Sequence, residues 1–140
     1  MKIKVIDYGY EKLPIRNHYN DAGADVYIHV KDRTKILRLP PNDTITIPLG
    51  FGLEIPDGYA AFIFPRSSLS REGIVCELPP VDSGYKGEIH AIVTNNTGDG
   101  KWLDDGTRIG QLVVLPVVIA DFVPDLGQER GQGAFGSTGA

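Results

Sequence analysis

Apolar and polar residues alternate along this chain in short runs, and Gly or Pro recurs every few residues, so long helices have almost no room. Six segments read as strands: residues 3–8, 25–30, 44–48, 59–64, 88–94 and 109–118. The run Glu88-Ile89-His90-Ala91-Ile92-Val93 shows the period of two most plainly. Turn signals separate the strands: Pro40-Pro41-Asn42-Asp43, Pro56-Asp57-Gly58, Asn95-Asn96-Thr97-Gly98-Asp99-Gly100 and Asp104-Asp105-Gly106. The longest interval free of Gly and Pro, residues 24–39, carries alternation rather than helical spacing. Short strands at this spacing predict an antiparallel all-β domain, a sandwich or a barrel. No linker and no internal repeat interrupts it.

Composition narrows the function. The 140 residues include 17 Gly, 10 Pro and 41% hydrophobic residues, enough for one modest core. A net charge of −4 argues against a general electrostatic grip on nucleic acid. A small anion can still be held by a few local cations and N–H groups. The single cysteine, Cys76, excludes an intramolecular disulfide, and its neighbours Ile74 and Val75 predict a buried, inert thiol. No stretch approaches the roughly 18 apolar residues of a membrane span. No basic segment leads into an apolar run at the N-terminus, so a reducing, cytoplasmic setting is the expectation.

The most informative stretch is Pro79-Pro80-Val81-Asp82-Ser83-Gly84-Tyr85-Lys86-Gly87-Glu88-Ile89-His90. It sets a carboxylate three residues before a tyrosine on a glycine-marked turn that feeds a strand. Glycines let backbone approach a ligand closely, and a rigid hairpin offers N–H and C=O groups at fixed spacing for the edge of a planar base. Asp82 then serves as a proton acceptor at the mouth and Tyr85 as a flat wall. Taken alone, an ordinary hairpin with a turn-favouring Asp and a packed Tyr accounts for the residues equally well.

Four further clusters bear on chemistry. Asp21-Ala22-Gly23-Ala24-Asp25-Val26 is turn-like, with Asp25 entering a strand. Pro65-Arg66-Ser67-Ser68-Leu69 offers a guanidinium and two hydroxyls, a set suited to phosphate oxygens, although a surface Arg beside a Ser-rich turn is common. Gly106-Thr107-Arg108-Ile109-Gly110-Gln111-Leu112 puts an amide inside an apolar strand, as a structural bracket or a ligand contact, with Arg108 equally suited to an ion pair. The tail, residues 130–140, carries one ring, one guanidinium and two hydroxyls among four glycines, which reads as a loose terminus or as a lid over a phosphate-bearing ligand. His18, His29 and His90 lack metal-ligand spacing, and no Walker loop, dinucleotide fingerprint or hydrolase elbow occurs.

Taken in order, the five segments 21–26, 65–69, 81–88, 106–112 and 130–139 resemble the five motifs of the trimeric dUTP diphosphatases (dUTPases). The resemblance implies an antiparallel jelly-roll-like β-barrel over residues 1–124, a C-terminal arm over residues 125–140 carrying the fifth motif, and a homotrimer with shared active sites. It implies hydrolysis of dUTP to dUMP and pyrophosphate, limiting uracil in DNA and supplying dUMP for thymidylate synthesis. In that scheme Asp82 and Gln111 are catalytic: Asp82 is the general base that activates water, and Gln111 joins Arg66, Ser67 and Ser68 on phosphate oxygens. Tyr85 packs against the deoxyribose, while backbone of Gly87, Glu88 and Ile89 reads the uracil edge. Arg130, Ser137 and Thr138 close on the γ-phosphate, Phe135 stacks on the base, and Gly136 is a further substrate-binding position. Mg²⁺ is the implied cofactor, with Asp25 in its outer shell through water.

Two alternatives accompany this expectation. A dCTP deaminase relative needs an acid–base glutamate beside the base, with Glu88 a poor candidate. A trimeric regulatory or binding protein would use the same surface for a protein partner that the sequence does not identify. Trp102 is expected to pack at an interface or in the core, the other option being a cover over the ligand.

Overall fold

The computed structural model describes residues 1–77 and 79–127. Its elements, in chain order, are β1 (Lys4–Asp7), β2 (Ala24–Tyr27), β3 (Ile36–Leu39), β4 (Asp43–Pro48), β5 (Phe51–Glu54), β6 (Tyr59–Pro65), α1 (Ser67–Arg71), β7 (Ile74–Glu77), β8 (His90–Asn95), β9 (Lys101–Asp104) and β10 (Arg108–Pro116). They pair antiparallel in four small sheets ordered β2-β10-β6, β4-β8-β7, β1-β5 and β3-β9. The architecture is the antiparallel all-β fold that the alternation predicts, and the jelly-roll-like barrel that the resemblance implies.

Alternation becomes burial directly. In β8, Ala91 and Val93 face inward and His90 and Ile92 face outward. In β6, Ala61 and Ile63 are buried, while Phe62 and Phe64 stack on the outer face with centroids 6.0 Å apart. Inward residues from both three-stranded sheets, such as Val26, Ile63 and Ile109 from one and Ile47, Val93 and Cys76 from the other, share one core cluster. Burial pushes the Cys76 thiol up to about 12, with the Glu77 charge adding to the rise. Asn95 is fully buried, yet it bonds Leu39 O, Asp99 O, Thr97 N–H and the Thr97 hydroxyl, so no polar atom is left unpaired.

Several elements escape the periodicity. Strands β3, β5, β7 and β9 each hold only four residues, too few for a pattern to stand out. The strand expected over 25–30 ends at Tyr27, although Ile28 and Val30 remain buried. The short helix α1 follows Pro65, which cannot donate to a ladder. Trp102 does not enter the core: it is 64% exposed, with the Arg38 guanidinium 5.8 Å from its ring centre. No helix among the described residues is long and apolar enough to cross a membrane.

Candidate active site

The hairpin after β7 is fixed at both ends. Val81 exchanges two backbone bonds with Ala61 of β6, at 2.8 and 3.2 Å. Ile89 donates to Phe51 O and accepts from Leu49 N–H. Between them, Tyr85 N–H closes a turn on Asp82 O at 3.1 Å, and the Tyr85 hydroxyl returns to Glu88 O at 2.7 Å. Gly87 is what lets the ring lie there, since a Cβ at that position would stand 2.6 Å from the Tyr85 hydroxyl oxygen. From the other side the Tyr8 hydroxyl donates to Lys86 O at 2.9 Å.

This hairpin bounds a cavity of about 330 Å³ lined by Asp82, Tyr85, Glu88 and Ile89 together with Pro79, Pro80, Val81, Thr46, His90 and Ile92. Its wall is mostly apolar, with one exposed carboxylate at its edge. The Asp82 carboxylate meets no partner among the described residues, so it is available to a ligand or a water. The Tyr85 face is 46% exposed. Three expected base-reading positions part company here. Gly87 does not line the cavity but underlies the Tyr85 ring. The Ile89 N–H is committed to Phe51 O and cannot donate to a base. The Glu88 N–H, in contrast, has no acceptor among the described residues.

Thr46, His90 and Ile92 also line the cavity, although no motif singles them out as site residues. Their signal was present: His90 and Ile92 share the non-core face of β8, and Thr46 is paired with Ile92. His90 Nδ1 lies 3.0 Å from Glu88 O, and a carbonyl only accepts, so Nδ1 carries the proton and Nε2 is the free nitrogen.

A second, polar cleft of about 210 Å³ brings together Asp25, Arg66, Ser67, Ser68, Arg108 and Gln111, with Asn17 at its edge. Register explains the assembly. Asp25 of β2 sits opposite Gln111 of β10, and Gln111 opposite Phe64 of β6, whose chain then delivers Arg66 and the start of α1. Arg108 Nη1 is 3.1 Å from Asp25 Oδ2, and Arg66 Nη1 donates to Arg108 O at 3.3 Å. Gln111 Nε2 reaches Pro65 O at 3.5 Å, and Gly23 leaves space for the amide, since a Cβ there would stand 2.7 Å from Gln111 Oε1. Two guanidinium groups against one carboxylate leave the cleft cationic, with hydroxyls beside them, which is a phosphate-type donor set. Arg108 therefore belongs to the cleft as well as to an ion pair; Asn17 gave no sequence signal.

The metal expectation meets a sparse donor set. No cluster of three or more His, Cys, Asp or Glu residues suited to a metal exists among the described residues. Asp25 is a lone carboxylate already paired with Arg108. That fits an ion carried by a polyphosphate and touched through water, the usual habit of Mg²⁺, rather than a protein cage.

Among the described residues, cavity and cleft share no lining residue. Val81 is paired with Ala61 near one end of β6, and Arg66 follows its other end, so the two half-sites lie roughly 16 Å apart along the strand at about 3.3 Å per residue. Arg130, Phe135, Gly136, Ser137 and Thr138 lie outside the described residues. The segment leading towards them is apolar and exposed at Val118, Ile119, Phe122, Val123 and Leu126.

Comparison with known proteins bears on the family and the fold. The dUTPase family pattern matches residues 10–139. A deoxyuridine 5'-triphosphate nucleotidohydrolase of Cutibacterium acnes is 42% identical over 137 residues, covering 92% of this chain and 86% of that protein. A dUTPase of Staphylococcus bacteriophage 80alpha, solved with dUpNHpp, superposes with a TM-score of 0.81 at 24% identity, covering 99% of each chain. A variant dUTPase of phage phi11 of S. aureus, solved with a coordinated structural Mg(II) ion, gives 0.80 at 22% identity, covering 92% of this chain and 99% of that one.

Proposed function

The chain belongs to the dUTPase family, and from that membership we propose that it hydrolyses dUTP to dUMP and pyrophosphate by attack of water on the α-phosphorus. The observation that carries the mechanism is the unpartnered Asp82 carboxylate, three residues from Tyr85, at the edge of the hairpin cavity. Asp82 accepts the proton of the attacking water. Tyr85 lies against the deoxyribose and leaves no room for a 2′-hydroxyl. The free N–H of Glu88 supports a backbone reading of the uracil edge.

Arg66, Ser67, Ser68, Arg108 and Gln111 hold the phosphates. Asp25 would hold a Mg²⁺ ion through water, and the ion would supply positive charge to the triphosphate. Separation of the half-sites along β6 supports a shared site: the nucleoside sits on one copy and the phosphates on the cleft of another, as a homotrimer provides. Residues 125–140 form the arm whose Arg130, Phe135, Gly136, Ser137 and Thr138 complete the site, an assignment resting on the motif. Deamination is disfavoured by Glu88, whose carboxylate is tied to Lys31 and Gly50 rather than free for acid–base work.

The test is pyrophosphate release from dUTP compared with UTP, dTTP and dCTP in the presence of Mg²⁺. Rapid turnover of dUTP alone is expected. Ammonia release from dCTP, or no turnover of any of the four, overturns the reading.

A further inference from the structure

We propose that Glu88 is a positioning residue whose carboxylate fastens the Tyr85 hairpin to the bend between β4 and β5, and so sets how strictly the hairpin selects a deoxynucleoside. This rests on the dUTP reading of the same site. Glu88 Oε2 accepts the Gly50 N–H at 3.0 Å, and Oε1 meets Lys31 Nζ at 3.1 Å. The carboxylate is only 13% exposed, so both contacts are made largely away from water, where charge-assisted bonds are strongest.

The anchor is stiff. Gly50 holds φ +82, and a Cβ there would stand 3.0 Å from Tyr10 Cα and 3.2 Å from His29 Cγ, so the bend cannot slide towards them. Its carbonyl accepts from Tyr8 N–H, and the Tyr8 hydroxyl reaches over to Lys86 O. Tyr8 and Glu88 therefore bind the same two segments together from two sides.

Glu88 is also the residue to which Tyr85 returns. Its carbonyl takes the Tyr85 hydroxyl while its side chain grips Gly50, and its unpaired N–H lies between them. Any shift of the Glu88 main chain thus moves the sugar wall and the free donor together. Without the carboxylate, the Gly50 N–H loses its acceptor among the described residues, and the middle of the hairpin keeps only the Tyr8 hydroxyl as a side-chain tie to the barrel.

The experiment uses the full chain carrying E88A, E88Q, E88D or K31M, with two readouts: the ratio of kcat/KM for dUTP over UTP, and hydrogen exchange of residues 82–90. E88A is expected to lower the ratio about tenfold, to raise KM more than it lowers kcat, and to speed hairpin exchange, the scale set by one charge-assisted bond. E88Q keeps an acceptor for Gly50 N–H and restores the ratio to within about threefold of wild type, whereas K31M has a smaller effect than E88A because Lys31 is half exposed. Should E88A not fold, E88D, whose carboxylate falls one methylene short, carries the same expectation. A folded E88A or E88D with unchanged selectivity and unchanged exchange overturns the proposal. Failure of the dUTP reading would be seen separately, as absence of wild-type turnover, and the exchange measurement still judges the tie.

Discussion

Arg108 on β10 holds Asp25 on β2, with 3.1 Å between Nη1 and Oδ2, across a shift in register. Arg108 faces Tyr27 while Gln111 faces Asp25, because the pairing is irregular between Arg108 and Gly110. A bulge of this kind re-aims side chains, and here it gathers an amide, a carboxylate and a guanidinium at one end of the sheet. Neutralising Asp25 also leaves the neighbouring Arg66 charge unopposed for an anionic ligand.

Arg108→Leu should therefore lower kcat/KM for dUTP by about 10–100-fold, the worth of one charge-assisted phosphate contact. Arg108→Lys keeps the charge without the fork and should fall between the two. Steady-state kinetics decide it. Wild-type kinetics in Arg108→Leu would confine that residue to pairing with Asp25.

Asp82→Asn keeps the shape of the turn, since the Tyr85 N–H bonds the main-chain carbonyl of Asp82 rather than its side chain. What it removes is the one unpaired carboxylate that the described residues place on the cavity, able to take a proton from water. Turnover should drop by roughly 10²–10⁴-fold while dUTP binding persists. Single-turnover rates and calorimetric titration separate the two quantities, and near-normal turnover removes Asp82 from the role of base.

The fold was legible where strands were long and one-sided, as in β8 and β10, because a period of two needs several repeats to show. Strands β3, β5, β7 and β9 were not legible, whereas β1 and β2, also of four residues, lie within longer alternating runs. Among the site residues, Arg66, Ser67 and Ser68 were legible as types suited to phosphate and Gln111 as a bracket or a ligand contact, but their convergence with Asp25 and Arg108 depends on the β2-β10-β6 register. The roles given to Gly87, Glu88 and Ile89 were the hardest to read. Whether an N–H is free or paired depends on Phe51 and Leu49, and nothing near residue 89 in sequence announces them.

Gly87→Ala tests the packing beneath the sugar wall. Its Cβ would stand 2.6 Å from the Tyr85 hydroxyl oxygen and 2.7 Å from Cζ, closer than atoms tolerate, so the ring must swing away. Tyr85→Ala removes the same wall outright. Both variants should narrow the preference for dUTP over UTP, the second by about tenfold or more, in keeping with lost steric exclusion in a shaped pocket. An unaltered preference in Tyr85→Ala rules out a sugar-facing role for the ring.

Removing residues 130–140 should separate catalysis from folding. Among the described residues, the core cluster draws on none beyond Leu112, and Val114 is the last side chain packed against it. The thermal midpoint and the oligomeric state should stay unchanged. Turnover should not, because the deletion takes away the Arg130 guanidinium, two hydroxyls and the ring of Phe135 at once. A lost charge-assisted contact alone lowers kcat/KM by about 10–100-fold, and loss of water exclusion adds to it. Arg130→Ala should reproduce the first part only. Kinetics of the truncated chain matching wild type would mean that the glycine-rich motif has no part in holding the nucleotide.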